Sequence, residues 1–247
     1  MNFGLKCLSE YVDGILSGRD VEEVRGRIIE EAENHTFDLR LVNGVMDEVR
    51  NALRSLGYRV IDVRARLNYK AISGVSQGLF HLIFEVGLNY DEILDVPYIP
   101  GSTIKGILRS RLYSLAGVDG GELFGDVGHE GYVIVSDAYP VSSRDGKLLI
   151  GDIVNPHYYR GGEPVRSEYE VQPIPIKHLS VRDGVSFRFV IGVDKGAGVS
   201  DVIRERLGVG DAVELVSVLL FYSMRTGLGA RSTKGYGVFE VEGFEVV

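Results

Sequence analysis

RNALRSLGYRVIDVRARL, residues 50–67, holds the change of period that decides the fold. Up to Leu56 the apolar residues recur at helical spacing. Val42, Val45, Met46, Val49, Leu53 and Leu56 form one stripe, and Gly57 suits the position that closes a helix. From Tyr58 the period becomes two. Arg59, Ile61, Val63 and Ala65 alternate with Val60, Asp62, Arg64 and Arg66, which predicts a strand with one apolar and one basic face. Upstream, Asp20 and Glu23 fit a capping box, followed by a stripe of Val21, Val24, Ile28 and Ile29 that breaks near His35 and Thr36. Residues 1–57 carry seven Lys and Arg against eleven Asp and Glu, half of the chain's net −8. They read as an acidic helical extension, too small in core to stand alone, packing on residues 58–247 and suited to protein contacts rather than phosphate.

Downstream, His81–Leu88 reads as a second strand. A helix is expected from Ser102 to about Tyr113, with Pro100 and Gly101 as the turn before its cap. Gly131–Ala138 and Val185–Val193 read as buried strands, Ala212–Met224 as a long apolar helix and Gly235–Phe244 as a closing strand. From residue 79 the order is β, α, β, insertion, β, α, β. That predicts an α+β, ferredoxin-like antiparallel sheet with its helices on one face. The insertion, about residues 139–184, is rich in Gly, Pro and Tyr. So long an irregular stretch within a compact domain points to function.

Composition narrows the classes. Forty-five per cent hydrophobic and 25% charged residues in 247 fit a globular chain rather than a disordered or fibrous one. No apolar run reaches the roughly 18 residues of a membrane span, and residues 1–14 lack the apolar core of a signal peptide. A single cysteine, Cys7, permits neither an internal disulfide nor a multi-cysteine zinc site. A cytoplasmic location without membrane contact is expected. The acidic balance argues against a generic nucleic-acid binder, so local charge decides.

Three segments carry candidate chemistry. Met224–Gly237, MRTGLGARSTKGYG, contains Arg225, Arg231, Lys234 and the glycines Gly227, Gly229, Gly235 and Gly237, and no acid. Glycines let backbone N–H groups approach an anion, and the cations add charge-assisted bonds. The spacing is neither a P-loop nor a dinucleotide fingerprint. The plainer reading is a glycine-rich connector with incidental charge. In Val96–Arg111, Ser102 or Thr103 would cap a helix whose N–H groups favour an anion, and Lys105 in the first turn opposes the helix dipole unless phosphate lies there. Arg109 and Arg111 read equally as solvated decoration. In Asp152–Arg160, the Asn155-Pro156 turn leads to His157, Tyr158 and Tyr159 beside Arg160, a set suited to stacking on unpaired bases or to anchoring a loop. The five histidines show no zinc spacing, and Asp126, His129 and Glu130 in a glycine-rich turn read as solvated. No metal, cofactor or catalytic constellation emerges.

YIPGSTIKGILR (98–109) and GLGARSTKGYGVF (227–239) resemble two motifs of the RAMP superfamily of CRISPR-associated proteins, in the same order. DIVNPHYYRGGEP (152–164), followed by PIPIKHLSV and FRFVIG, resembles a block of the sixth-subunit family of the type III-B (Cmr) effector complex. The motif-matched positions are Pro100, Gly101, Ser102, Lys105, Gly106 and Arg109; then Asp152, Pro156, His157 and Tyr158; then Gly227, Gly229, Arg231, Lys234, Gly235 and Gly237. Thr103 departs from the second serine usual in the superfamily. The resemblance implies an RRM-related fold that binds CRISPR RNA and target RNA beside other subunits of the complex and caps one end of its backbone. Target cleavage would belong to another subunit. The alternative is a metal-independent CRISPR RNA-processing endoribonuclease, with His35 or His81 as base and Lys234 as cation.

Overall fold

The computed structural model describes residues 2–74, 78–155, 159–160, 163–164 and 175–247. Three helices open the chain: α1 (Phe3–Leu16), α2 (Val21–Asn34) and α3 (Arg40–Ser55). Asp20 caps α2 as its spacing predicts, accepting the N–H groups of Glu22 and Glu23 at 3.0 and 3.1 Å. Gly57, at φ +89°, ends α3 in a Schellman motif: its N–H reaches Arg54 O and the Tyr58 N–H reaches Leu53 O. Strand β1 (Arg59–Leu67) follows at once, where the period changes.

The next elements are α4 (Leu79–Ile83), the short pair β2 (Tyr90–Asp91) and β3 (Val96–Pro97), then α5 (Gly101–Ala116), α6 (Gly121–Phe124) and β4 (Val133–Val135). Beyond them come β5 (Tyr139–Ser142), β6 (Leu149–Val154), β7 (Tyr159–Arg160), β8 (Glu163–Pro164), β9 (Ile176–Val181) and β10 (Ser186–Val193). The chain ends with α7 (Asp201–Leu207), α8 (Ala212–Thr226) and β11 (Phe239–Val246). The main sheet runs β11–β1–β10–β4, antiparallel throughout, with β5 also pairing β10.

Register places Ile61, Val63 and Ala65 beside Ile191, Phe189 and Phe187 on one side and Val246, Phe244 and Val241 on the other. Helices α5 and α8 cover this apolar face, with the Phe221 and Phe244 rings 5.0 Å apart. The opposite face is not left open. Helix α3 crosses β1 and β10 there, so helices cover both faces rather than one. The expected basic face is largely neutralised. Arg188 forms a fork with Asp62 at 2.6 and 3.0 Å and reaches Asp47 of α3 at 2.9 Å, and Arg66 pairs with Glu240 at 2.7 Å. The N-terminal helices share one contiguous core with the sheet, from Phe3, Cys7 and Ile28 to Val63, Phe189 and Leu219.

Four further expectations are corrected. His81–Leu88 is not a strand: Phe80, Ile83 and Phe84 are buried at helical spacing on or beside α4, and β1 is the sheet's first strand. A short apolar run does not distinguish the two by periodicity. The strand expected at Gly131–Ala138 shrinks to Val133–Val135, and the closing strand starts at Phe239 because Gly235 and Gly237 hold positive φ. The expected insertion is partly regular. β6 and β9 form a second antiparallel ribbon, which α2 covers through the Gly151 N–H to Glu33 at 2.9 Å. Among the described residues, no single helix is long and apolar enough to cross a membrane.

Candidate nucleic-acid interface

The segment between α8 and β11 folds back on the sheet rather than hanging from it. The Leu228 N–H donates to Gly237 O at 2.8 Å, Ala230 to Ile72 O at 2.9 Å and Gly237 to Lys70 O at 2.8 Å. Gly237 sits at φ +69°, and a Cβ there would overlap the Leu228 carbonyl oxygen. Cβ atoms at Gly227 and Gly229 would meet Ser232 and the Ile72 carbonyl oxygen, both at 2.6 Å. These glycines therefore serve the loop's own close packing, and the Gly235 and Gly237 N–H groups are engaged within the chain.

What the loop turns outward is its tip. Arg231 is left-handed (φ 59°, ψ 27°) and precedes a 3-10 turn, Ser232–Lys234. A left-handed residue before a right-handed turn points successive N–H groups to one side, the form of an anion-binding nest. Among the described residues, no acceptor meets the N–H groups of Arg231, Ser232 or Thr233, and no carboxylate pairs with Arg231, Lys234 or Arg225. Lys234 is exposed, Arg231 half-buried, and Arg225 exposed in the last turn of α8, where a cation suits the helix dipole.

A half-buried carboxylate anchors this loop. Asp152 on β6 accepts from the Tyr236 hydroxyl at 2.6 Å, Lys70 Nζ at 3.0 Å, Ser180 Oγ at 3.1 Å and the Ile153 N–H at 2.9 Å. Burial works to raise its pKa, but the bonds from Tyr236 and Lys70 outweigh this and hold it below the ordinary carboxylate value. Burial, then the Asp152 bond, pushes the Tyr236 phenol up to about 12. His178, the cross-strand partner of Asp152, is fully buried, and burial lowers its pKa. Its Nδ1 lies 3.0 Å from Leu179 O, while Nε2 is buried without a partner among the described residues. Sequence reading matched Asp152 but missed Lys70, Tyr236 and the half-exposed Tyr69, whose ring meets Tyr236 edge-on at 5.5 Å. Their only signal was the NYK run that follows β1 and the tyrosine inside the glycine-rich motif.

The other glycine-and-cation segment is organised differently. Pro100 is the N-cap of α5, and neither Ser102 nor Thr103 caps it. Asp137 takes the Gly101 N–H at 2.7 Å, so a carboxylate of the chain already sits at this helix end. A Cβ on Gly101 would overlap the Val135 carbonyl oxygen. Arg109 is held by Asp119 at 2.6 Å, Asp126 at 3.4 Å and the Gly125 carbonyl at 2.9 Å, which gives it a structural task. Lys105 is half-buried; burial lowers its pKa against the opposing charge of Glu130. Arg111 lies over the Tyr222 ring at 5.6 Å.

His157 and Tyr158, with Pro156, lie outside the described residues, as does the side chain of Arg160. His35 stacks on Phe3 at 4.3 Å, and burial lowers its pKa; His81 lies in α4. No group of three His, Cys, Asp or Glu among the described residues is placed to hold a metal ion.

The RAMP superfamily model matches residues 83–240. The CRISPR system CMR subunit Cmr6 of Saccharolobus solfataricus is 35% identical over 237 residues, covering 93% of this chain and 76% of the relative. The Cmr6 of Pyrococcus furiosus is 34% identical over 124 residues, 47% of this chain and 32% of that one. A chain of the type III-B Cmr-beta structure bound to cognate target RNA superposes with a TM-score of 0.72 at 33% identity, covering 92% of this chain and 72% of that chain. With both motifs in place and a Cmr6 similar over 93% of this chain, the chain belongs to the RAMP superfamily and, within it, to the Cmr6 family.

Proposed function

We propose that the chain is a non-catalytic RNA-binding subunit of a type III-B CRISPR (Cmr) ribonucleoprotein in the cytoplasm. It contacts CRISPR RNA and target RNA and caps one end of the backbone in RNA-guided antiviral defence. The strand order β11–β1–β10–β4, with α5 and α8 on one face, supports a ferredoxin-like, RRM-related core within that reading. One observation carries the RNA contact: the tip of the Gly227–Gly237 loop, where three N–H groups and the cations Arg231 and Lys234 stand, among the described residues, without a carboxylate. Arg225 extends the same charge along the end of α8. Phosphate contacts of this kind hold the strand without reading its sequence.

The test is an Arg231→Ala, Lys234→Ala double variant, assayed in the assembled complex or alone at low salt. Affinity should fall for unrelated RNA sequences, and the log–log salt dependence should flatten by roughly 1 to 1.5. An unchanged slope in a folded variant returns the loop to a connector. For the non-catalytic part, incubation with CRISPR repeat RNA in EDTA should leave the RNA intact. Specific cleavage would instead establish the endoribonuclease reading.

A further inference from the structure

Beside the loop, where α8 ends against the first half of β11, lies a cleft of about 600 Å³. Its floor is apolar: Met224 and Phe239 are buried, and Val241 is half-buried. Its wall is the ring of Phe221, 43% exposed although it packs on Phe244 from the other side. The exposed residues Asn68, Arg225 and Glu240 complete its lining, and Arg66 pairs with the Glu240 carboxylate at 2.7 Å. Asn68 is fixed there by its backbone N–H to Val238 O at 2.9 Å.

We infer that this cleft receives one unpaired nucleobase of the RNA whose phosphates lie on the Arg231–Lys234 tip; the inference rests on the RNA-binding reading above. An unpaired base is planar, apolar on its faces and hydrogen-bonding along its edge. The cleft offers the complement of each part: an aromatic wall, an apolar floor, and an amide that both donates and accepts. Arg225 in the lining adds a cation toward the sugar-phosphate or the ring face. Continuity fixes the occupant. Met224 and Arg225 line the cleft and open the glycine-rich segment, and its Asn68 and Val238 adjoin Lys70 and Gly237, whose 2.8 Å backbone bond holds that segment to the sheet. The phosphate contacts would be indifferent to sequence, and this cleft is where a preference among bases would arise.

The experiment uses the full chain within the complex and a short single-stranded RNA from which one base at a time is removed, leaving the ribose-phosphate intact. Removal at one position should weaken binding roughly 5- to 150-fold, the range of one base stacked on an aromatic side chain, while neighbouring positions matter less. In Phe221→Leu, which keeps apolar packing on Phe244 but loses the ring, that penalty should shrink several-fold, whereas a structural role would weaken intact and abasic RNA equally. RNA that binds with the same affinity wherever the base is removed overturns the base site and leaves the phosphate reading standing. A Phe221→Leu chain that folds but no longer enters the complex assigns the cleft to a neighbouring protein and also overturns it. RNA that fails to bind at any salt concentration overturns both.

Discussion

In Gly101–Arg109 the helix end and its arginine are already matched by carboxylates of the same chain: Asp137 at Gly101, Asp119 and Asp126 at Arg109. In Gly227–Gly237 the glycines also pack internally, yet among the described residues Arg231 and Lys234 meet no carboxylate and the tip's N–H groups meet no acceptor. Both segments pair glycine with cations. The difference lies in where the chain's carboxylates fall in space, and it separates a motif that builds the sheet domain from one left available to an external anion.

The largest effects should come from the glycines that both segments need for close packing. Gly101→Ala and Gly237→Ala each force a Cβ into a carbonyl oxygen and should destabilise by about 3 kcal/mol in denaturant unfolding. Only Gly237→Ala should also weaken RNA binding per folded molecule; an equal loss in both would erase the distinction. Next, Asp152→Asn should cost about 2 kcal/mol, because Lys70 and Tyr236 lose a charged acceptor. It should also loosen the loop, seen as faster amide exchange at Leu228 and Gly237, and exchange unchanged from the parent would show that Asp152 does not anchor it.

A smaller effect concerns pH. His178 has a folded pKa below 6.5, so the unfolded chain takes up the proton first. Its contribution to stability is complete above 6.5 and is lost as pH falls from there toward the folded value. The midpoint of urea unfolding should drop between neutral pH and about pH 5, and His178→Gln should flatten that drop. A parallel pH profile in the variant would assign the effect elsewhere, with His35, lowered in the same direction, as the next group to examine. The smallest change expected is in RNA binding by Arg109→Ala. It should lower the melting temperature while leaving the salt slope where it was, in contrast to the Arg231, Lys234 pair. A slope flattened as much as by that pair would make the first segment an RNA contact after all.

Much of this was legible before any coordinates. The helical stripe that ends at Gly57, the alternation of β1, the Asp20 cap and the acid-free run at 224–237 are carried by residues close in sequence, as was the likeness to RAMP motifs. The reading failed where short and long range compete. LFHLIF at 79–84 packs as one helical turn although its composition suits a strand, and on the charged face of β1 Arg66 meets Glu240 and Glu242 of β11 while Asp62 is taken by Arg188 of β10.

The sequence by itself determined periods, caps and local charge, because those depend on neighbours within a turn or two of the chain. Only the tertiary structure decided that Asp137 occupies the start of α5 from 36 residues away, that Tyr236 hangs on Asp152 across 84, and that Arg188 is buried between Asp62 and Asp47. Burial makes such partners matter, since a carboxylate or guanidinium withdrawn from water requires a counterpart. Which counterpart it finds is fixed by how the strands and helices pack, not by its distance along the chain.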